Sequence, residues 1–175
     1  MKKTLLLFAL LASACFAQTL PVPAALPSIT VGAGPSWTRG GNSPYSFDAT
    51  LAVHIGKTQW YSWTDISTPI STSTSAQPVV STITTGAAWI AAQSASGCVA
   101  LVTIIQAGFS AVAANSTIAP SFTGSLGVAF RLGKSNVYLM PYAKASNAAT
   151  STSSGALATA VFQPGVQILY GFGGK

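Results

Sequence analysis

The 175-residue chain contains no glutamate, and its only acids are Asp48 and Asp65, set against eight lysines and arginines. Charged residues make up 6% of it, where a soluble domain carries about a quarter. Between Ile66 and Phe130 there is not one charge. That absence excludes an ordinary hydrated surface. Histidine occurs once, as His54, and cysteine twice, as Cys15 and Cys98. One imidazole, scattered thiols and two separated acids make no metal-ligand set. His54 and Asp48 share a strand face, but six residues of strand at about 3.3 Å each hold them roughly 20 Å apart. That is too far for a base and the group that orients it. The basic residues are dispersed, so they form no stripe that tracks phosphates, and no nucleic-acid partner is expected. Gly32-Ala33-Gly34 lacks the third glycine and the following helix of a dinucleotide fingerprint. No cofactor and no catalytic residue are expected.

The first segment reads as an export signal, residues 1–17. Lys2 and Lys3 form its basic end, Leu5 to Ala12 its apolar core, and Cys15-Phe16-Ala17 its cleavage site. A competing reading takes Ala12-Ser13-Ala14-Cys15 as a lipidation site, although Leu11 lies one position too far upstream for it. Without Lys2 and Lys3, six basic residues face two acids, a net charge of +4. Residues 18–27, QTLPVPAALP, hold three prolines and no alternation, and read as an extended periplasmic linker. Cys98 is then the lone thiol, read as a small residue near a turn.

From Ser28 the chain alternates apolar and small or polar residues with a period of two, the pattern of strands with two different faces. The clearest run sets Phe47, Ala49, Leu51, Val53 and Ile55 against Ser46, Asp48, Thr50, Ala52 and His54. Eight such runs can be traced, the last being Phe162 to Phe172. The run at residues 59–66 fits either facing, since a change of one residue in its turn reverses it. Connections alternate between tight turns (Gly56-Lys57-Thr58, Gln93 to Gly97, Gly133 to Asn136) and longer Ser/Thr-rich loops. An up-and-down barrel inserted from the periplasm has this arrangement, with an even strand number and both termini on the side of the short turns. Pro141 and Pro164 fall inside runs, where a closed sheet must accommodate two missing donors. Cys98 to Ala114 also fits a helix, though it is short for a membrane span.

Aromatic residues gather at the run ends. Trp37, Phe47, Phe109, Phe122 and Phe162 fall at one end, and Trp89, Phe130, Tyr138, Tyr170 and Phe172, with Trp60 or Tyr61, at the other. Two belts around an aliphatic band suit a lipid bilayer. Asp48, His54 and Arg131 fall on the opposite, lumenal face. On the signal segment, strand count, loop alternation and a final strand with Val166, Ile168, Tyr170 and Phe172, residues 28–172 resemble the small eight-stranded outer-membrane barrels of the OmpA/OmpX-like group. The resemblance implies an all-β, eight-stranded antiparallel up-and-down transmembrane β-barrel in the bacterial outer membrane. It also implies outer-membrane lipid and the outer-membrane assembly machinery as partners. Residues 173–175, Gly-Gly-Lys, extend past the aromatic on which the family's assembly signal usually ends.

The expected role is structural or surface-interacting through the Ser/Thr-rich loops, with an unidentified extracellular partner and a narrow pore as a subsidiary possibility. Two other classes fit less of the sequence. A secreted or fimbria-like β-sandwich adhesion module would bury the Val166, Ile168, Tyr170 face. A lipid-modifying barrel enzyme would have His54 as its only candidate base.

Overall fold

The computed structural model describes residues 26–37, 45–56, 58–70, 80–112, 117–148 and 159–172. The expected signal segment, most of the linker and the extension at 173–175 lie outside these residues. Eight strands follow in chain order: β1 (Ile29–Trp37), β2 (Tyr45–His54), β3 (Trp60–Pro69), β4 (Val80–Gln93), β5 (Val99–Val112), β6 (Thr117–Arg131), β7 (Val137–Ala148) and β8 (Thr159–Phe172). Each pairs antiparallel with the next, and β1 pairs with β8 from Ile29↔Phe172 inward, so the sheet is a closed barrel. Among the described residues closure leaves no second sheet, and a single closed barrel is not a β-sandwich. The stretch read alternatively as a helix is β5, whose β-branched residues Val102, Thr103, Ile104 and Ile105 suit a pleated wall.

The turns between β2 and β3, β4 and β5, and β6 and β7 are short, as their glycines predict. Gly56, Gly97 and Gly133 adopt φ of 61°, 66° and 63°, a left-handed conformation that glycine alone enters without a steric cost. The first turn also settles β3. Ile55 N–H donates to Trp60 O (2.9 Å) and His54 lies opposite Tyr61, so Trp60 faces out and Tyr61 and Trp63 face in. Several strands extend further toward the long loops than the apolar alternation suggests: β3 reaches Pro69, β5 Val112 and β7 Ala148. Ladder hydrogen bonds belong to the backbone, and the small Ser, Thr and Ala side chains there leave it free to pair.

The prolines are accommodated by breaks in the ladder. The β1–β8 pairing jumps from Ala33↔Ile168 to Ser36↔Gly165 around Pro35, and the β6–β7 pairing jumps from Gly127↔Tyr142 to Phe130↔Leu139 around Pro141. Successive residues of a strand turn their N–H to opposite neighbours. Since Gly171 N donates to Asn136 O, odd-numbered β8 residues face β7, and Pro164 therefore withholds its donor from β1. Pro35 withholds its own from β8 by the same alternation, because His54 N donates to Ser28 O on the β2 side. Pro35 and Pro164 thus relieve one seam together, while Pro141 interrupts another.

The two faces differ sharply. Outside stand Ile105 (71% exposed), Phe109 (64%), Ile118 (69%), Ile168 (59%) and Ile83 (55%), with no charged residue among the described outward positions between the strand ends. The buried core is the lumen. Its half nearer the short turns is filled by Tyr61, Trp63, Ile90, Val102, Ile104, Tyr138, Met140 and Leu169. Leu26, just before β1, is 2% exposed and closes that end; its carbonyl accepts from Tyr61 Oη at 2.7 Å.

Candidate functional site

The half of the lumen nearer the long loops is polar. Inward positions of β1 and β2 supply Ser36, Ser46, Asp48 and Thr50, and β3 supplies Asp65 and Ser67. Across the barrel, β5 to β8 supply Gln106, Ser110, Ser121, Thr123, Ser125, Lys144, Gln163 and Gln167, all buried. Three charges lie among them. Lys144 Nζ reaches Asp48 Oδ2 at 3.0 Å, with both side chains almost wholly buried. Tyr142 Oη donates to the same Asp48 oxygen. Asp65 Oδ1 accepts from Trp63 Nε1 at 3.0 Å and from the Thr50 hydroxyl, and Gln167 Nε2 donates to Thr50 Oγ1 at 2.9 Å.

Missing side chains make this crossing possible. Lys144 and Tyr142 stand on β7 and must pass over β8 and β1 to reach β2. At Gly165 a Cβ would lie 2.5 Å from Tyr142 Cζ and Oη, so the phenol ring occupies the volume that any other residue would fill. Gly34 stands opposite Asp48 on β1, and a Cβ there would run into the Val166 carbonyl of β8. Opposite them, Gln106 lies over Gly86 and donates through Nε2 to the carbonyls of Trp63 (3.2 Å) and Thr84 (3.3 Å). Two carbonyls facing its nitrogen fix the amide, so Gln106 Oε1 points into the lumen.

Several buried oxygens of this region have no hydrogen-bond partner: Asp48 Oδ1, Ser36 Oγ, Gln106 Oε1, Ser121 Oγ and Ser125 Oγ. Buried polar groups are normally satisfied, so a cluster of orphans marks a place that accommodates something further. No group of three or more His, Cys, Asp or Glu residues suited to a metal occurs among the described residues.

Of the expected lumen residues, only Asp48 is at the centre of this network. His54 and Arg131 point inward but sit at the short-turn rim. His54 Nε2 lies 2.6 Å from Thr58 O and its ring stands 4.8 Å from that of Tyr61; Arg131 donates to Ser135 O at 2.7 Å. Among the described residues, the His54 ring has no hydroxyl or thiol as hydrogen-bond partner. Of the expected aromatics, Trp37, Phe47, Phe109, Phe122 and Phe162 face outward toward the long loops, and Trp89, Phe130, Tyr170 and Phe172 face outward toward the short turns. Tyr45 and Trp60 join them. Trp60 stacks on Trp89 with ring centroids 6.1 Å apart, and Trp89 Nε1 donates to Gln59 Oε1 at 3.2 Å.

Tyr138 is the correction. It is buried in the lumen at 3% exposure, not on the outer belt. Leu132 N donates to Val137 O across the turn, which sets Tyr138 opposite Arg131 and gives both the inward facing. The missed residues carried a usable signal. Lys144 shares its strand parity with Tyr138, Met140 and Tyr142, and a lysine at mid-height cannot face lipid cheaply. Asp65 marks Tyr61 and Trp63 as inward in the same way.

No family model and no curated protein sequence matches the chain. Solved structures do. The barrel is similar to the crystal structure of Neisserial surface protein A (NspA), with a TM-score of 0.57 at 10% identity over 83% of this chain and 97% of that one. It is similar also to Ail, the attachment invasion locus protein of Yersinia pestis, with a TM-score of 0.52 at 12% identity over 83% and 99%. An eight-stranded closed antiparallel barrel with an apolar outer wall and its charges turned inward therefore has the fold of these small outer-membrane barrels.

Proposed function

We propose that this chain is a non-enzymatic outer-membrane barrel that holds its long loops at the cell surface for interaction with an extracellular partner. One observation carries the reading: the outer wall is apolar between two rings of aromatic side chains, while Asp48, Asp65 and Lys144 are confined to the lumen. In water that distribution is inverted, and in a bilayer it is the stable one. The names of the similar structures, a surface protein and an attachment protein, support a surface role by analogy of fold. The expected partners during assembly and residence are the outer-membrane assembly machinery and outer-membrane lipid.

The filled lumen favours a closed barrel over a pore. Trp63, Ile90, Val102, Met140 and Leu169 occupy the cross-section that an eight-stranded barrel leaves. The lipid-modifying alternative loses support from His54, whose ring lies at the short-turn rim against Tyr61.

Purified outer membranes run with and without boiling test the reading. The folded barrel is expected to migrate faster before boiling and to stay with the membrane through carbonate washing. A band unmoved by heat, in protein released by carbonate, would reject it. In planar bilayers the purified protein is expected to give no steady conductance.

A further inference from the structure

We infer that the polar half of the lumen binds one small monovalent cation, a metal ion or an ammonium group, between Asp48 and Asp65. Charge is the first ground. The buried charges of that half are two carboxylates and one ammonium, Lys144, among the described residues. Lys144 and Tyr142 both serve Asp48 Oδ2, which leaves one carboxylate's worth of negative charge uncompensated. Burial makes an unbalanced charge costly unless a counter-charge joins it or the carboxylate takes up a proton.

The orphan atoms supply the second, independent ground. Asp48 is fully buried, yet its Oδ1 has no partner, and the Oγ of the equally buried Ser36 next to it, though near the Tyr142 hydroxyl, makes no hydrogen bond of normal geometry. The two are diagonal neighbours on β1 and β2, because Ser36 lies opposite Ser46 and Gly34 opposite Asp48. Asp65 is likewise diagonal to Asp48 on β3, since Thr50 lies opposite Asp65 and Asp48 opposite Ser67. Gln106 Oε1, fixed by its own donated bonds, adds another acceptor to the same half. Carboxylate and amide oxygens accept and never donate. Their complement is a positively charged group bound by oxygen alone.

The size of the excess sets the valence. One uncompensated negative charge matches a monovalent ion, whereas a chelated divalent or transition metal needs more carboxylate, imidazole or thiolate ligands than are present. The apolar packing of the opposite half confines the ion to the loop side of Trp63 and Met140. The inference depends on the barrel's interior and not on its location in the cell, so its failure and that of the surface role are separable.

The test is thermal unfolding of the refolded barrel in detergent at fixed pH and ionic strength, in chloride salts of sodium, potassium, methylammonium or the bulky N-methylglucamine. One of the three small cations should raise the midpoint by about 3 °C over N-methylglucamine, saturably, in line with the linkage between binding and stability. The shift should vanish in Asp65→Asn and shrink in Ser36→Ala. Sodium or potassium as the best ligand identifies a metal-ion site, and methylammonium an ammonium site. Equal midpoints in all four salts overturn the proposal and leave the lumen holding water and a proton. If Asp65→Asn does not fold, the Ser36→Ala comparison decides, and an undiminished shift there counts against the site.

Discussion

At the level of single residues, the fold rests on where side chains are absent as much as on where they are present. Tyr142 reaches Asp48 only because Gly165 leaves its volume free. Gly165→Ala should displace the ring and cost about 1 to 3 kcal/mol, the usual penalty of overpacking, measured by urea unfolding in detergent. Combining it with Tyr142→Ala should recover part of that loss, because the two changes act on one contact. Additive losses would mean that ring and glycine are independent. The ion pair makes a larger demand. Lys144→Met strands a buried carboxylate and should cost about 3 to 5 kcal/mol. A loss below about 1 kcal/mol would mean that Asp48 is served by water instead.

At the level of strands, the β1–β8 seam is the uneven part of the wall. Pro35 and Pro164 both withhold donors from it, two residues apart in register, and the pairing thins between Ala33 and Ser36. In Pro35→Ala a new amide faces Val166 and should be protected from hydrogen exchange, with a stability gain of about 1 kcal/mol at most. Fast exchange at that amide would show that the seam is open at this height for reasons other than proline. Strand number, the three tight turns and most outward faces could be read from period-two alternation, because one buried face and one lipid face leave opposite residues on each. Two faces could not be read that way. Tyr61, Trp63, Tyr138, Met140 and Tyr142 are large and apolar but line the lumen, so hydrophobicity alone does not separate inside from outside. The lone charges on those strands, Asp65 and Lys144, do separate them. The pairing of Asp48 with Lys144 could not be foreseen, since they stand 96 positions apart in the chain with two glycine-bearing strands between them in the wall.

For the whole molecule, the four tryptophans report on which side of the wall lipid lies. Trp37, Trp60 and Trp89 face outward and Trp63 is buried in the lumen. In vesicles of brominated lipid, the outward three should lose most of their fluorescence, and Trp63 should lose little. Single Trp→Phe variants assign the signal. Removing Trp63 should raise the quenched fraction, and removing any of the others should lower it. Quenching of Trp63 equal to that of Trp60 would contradict an inward Trp63 and a lipid-facing outer wall together.

The seal at the short-turn end has a further consequence, for how the barrel closes. Leu26 precedes β1, its carbonyl holds Tyr61 of β3, and Pro27 rests where a side chain at Gly171 of β8 would stand. The two contacts can exist together only when β3 and β8, remote from each other in the chain, both stand in place around the entry to β1. Docking of Leu26 and Pro27 together therefore requires the closed barrel, and both contacts are expected to be lost when the β1–β8 pairing opens.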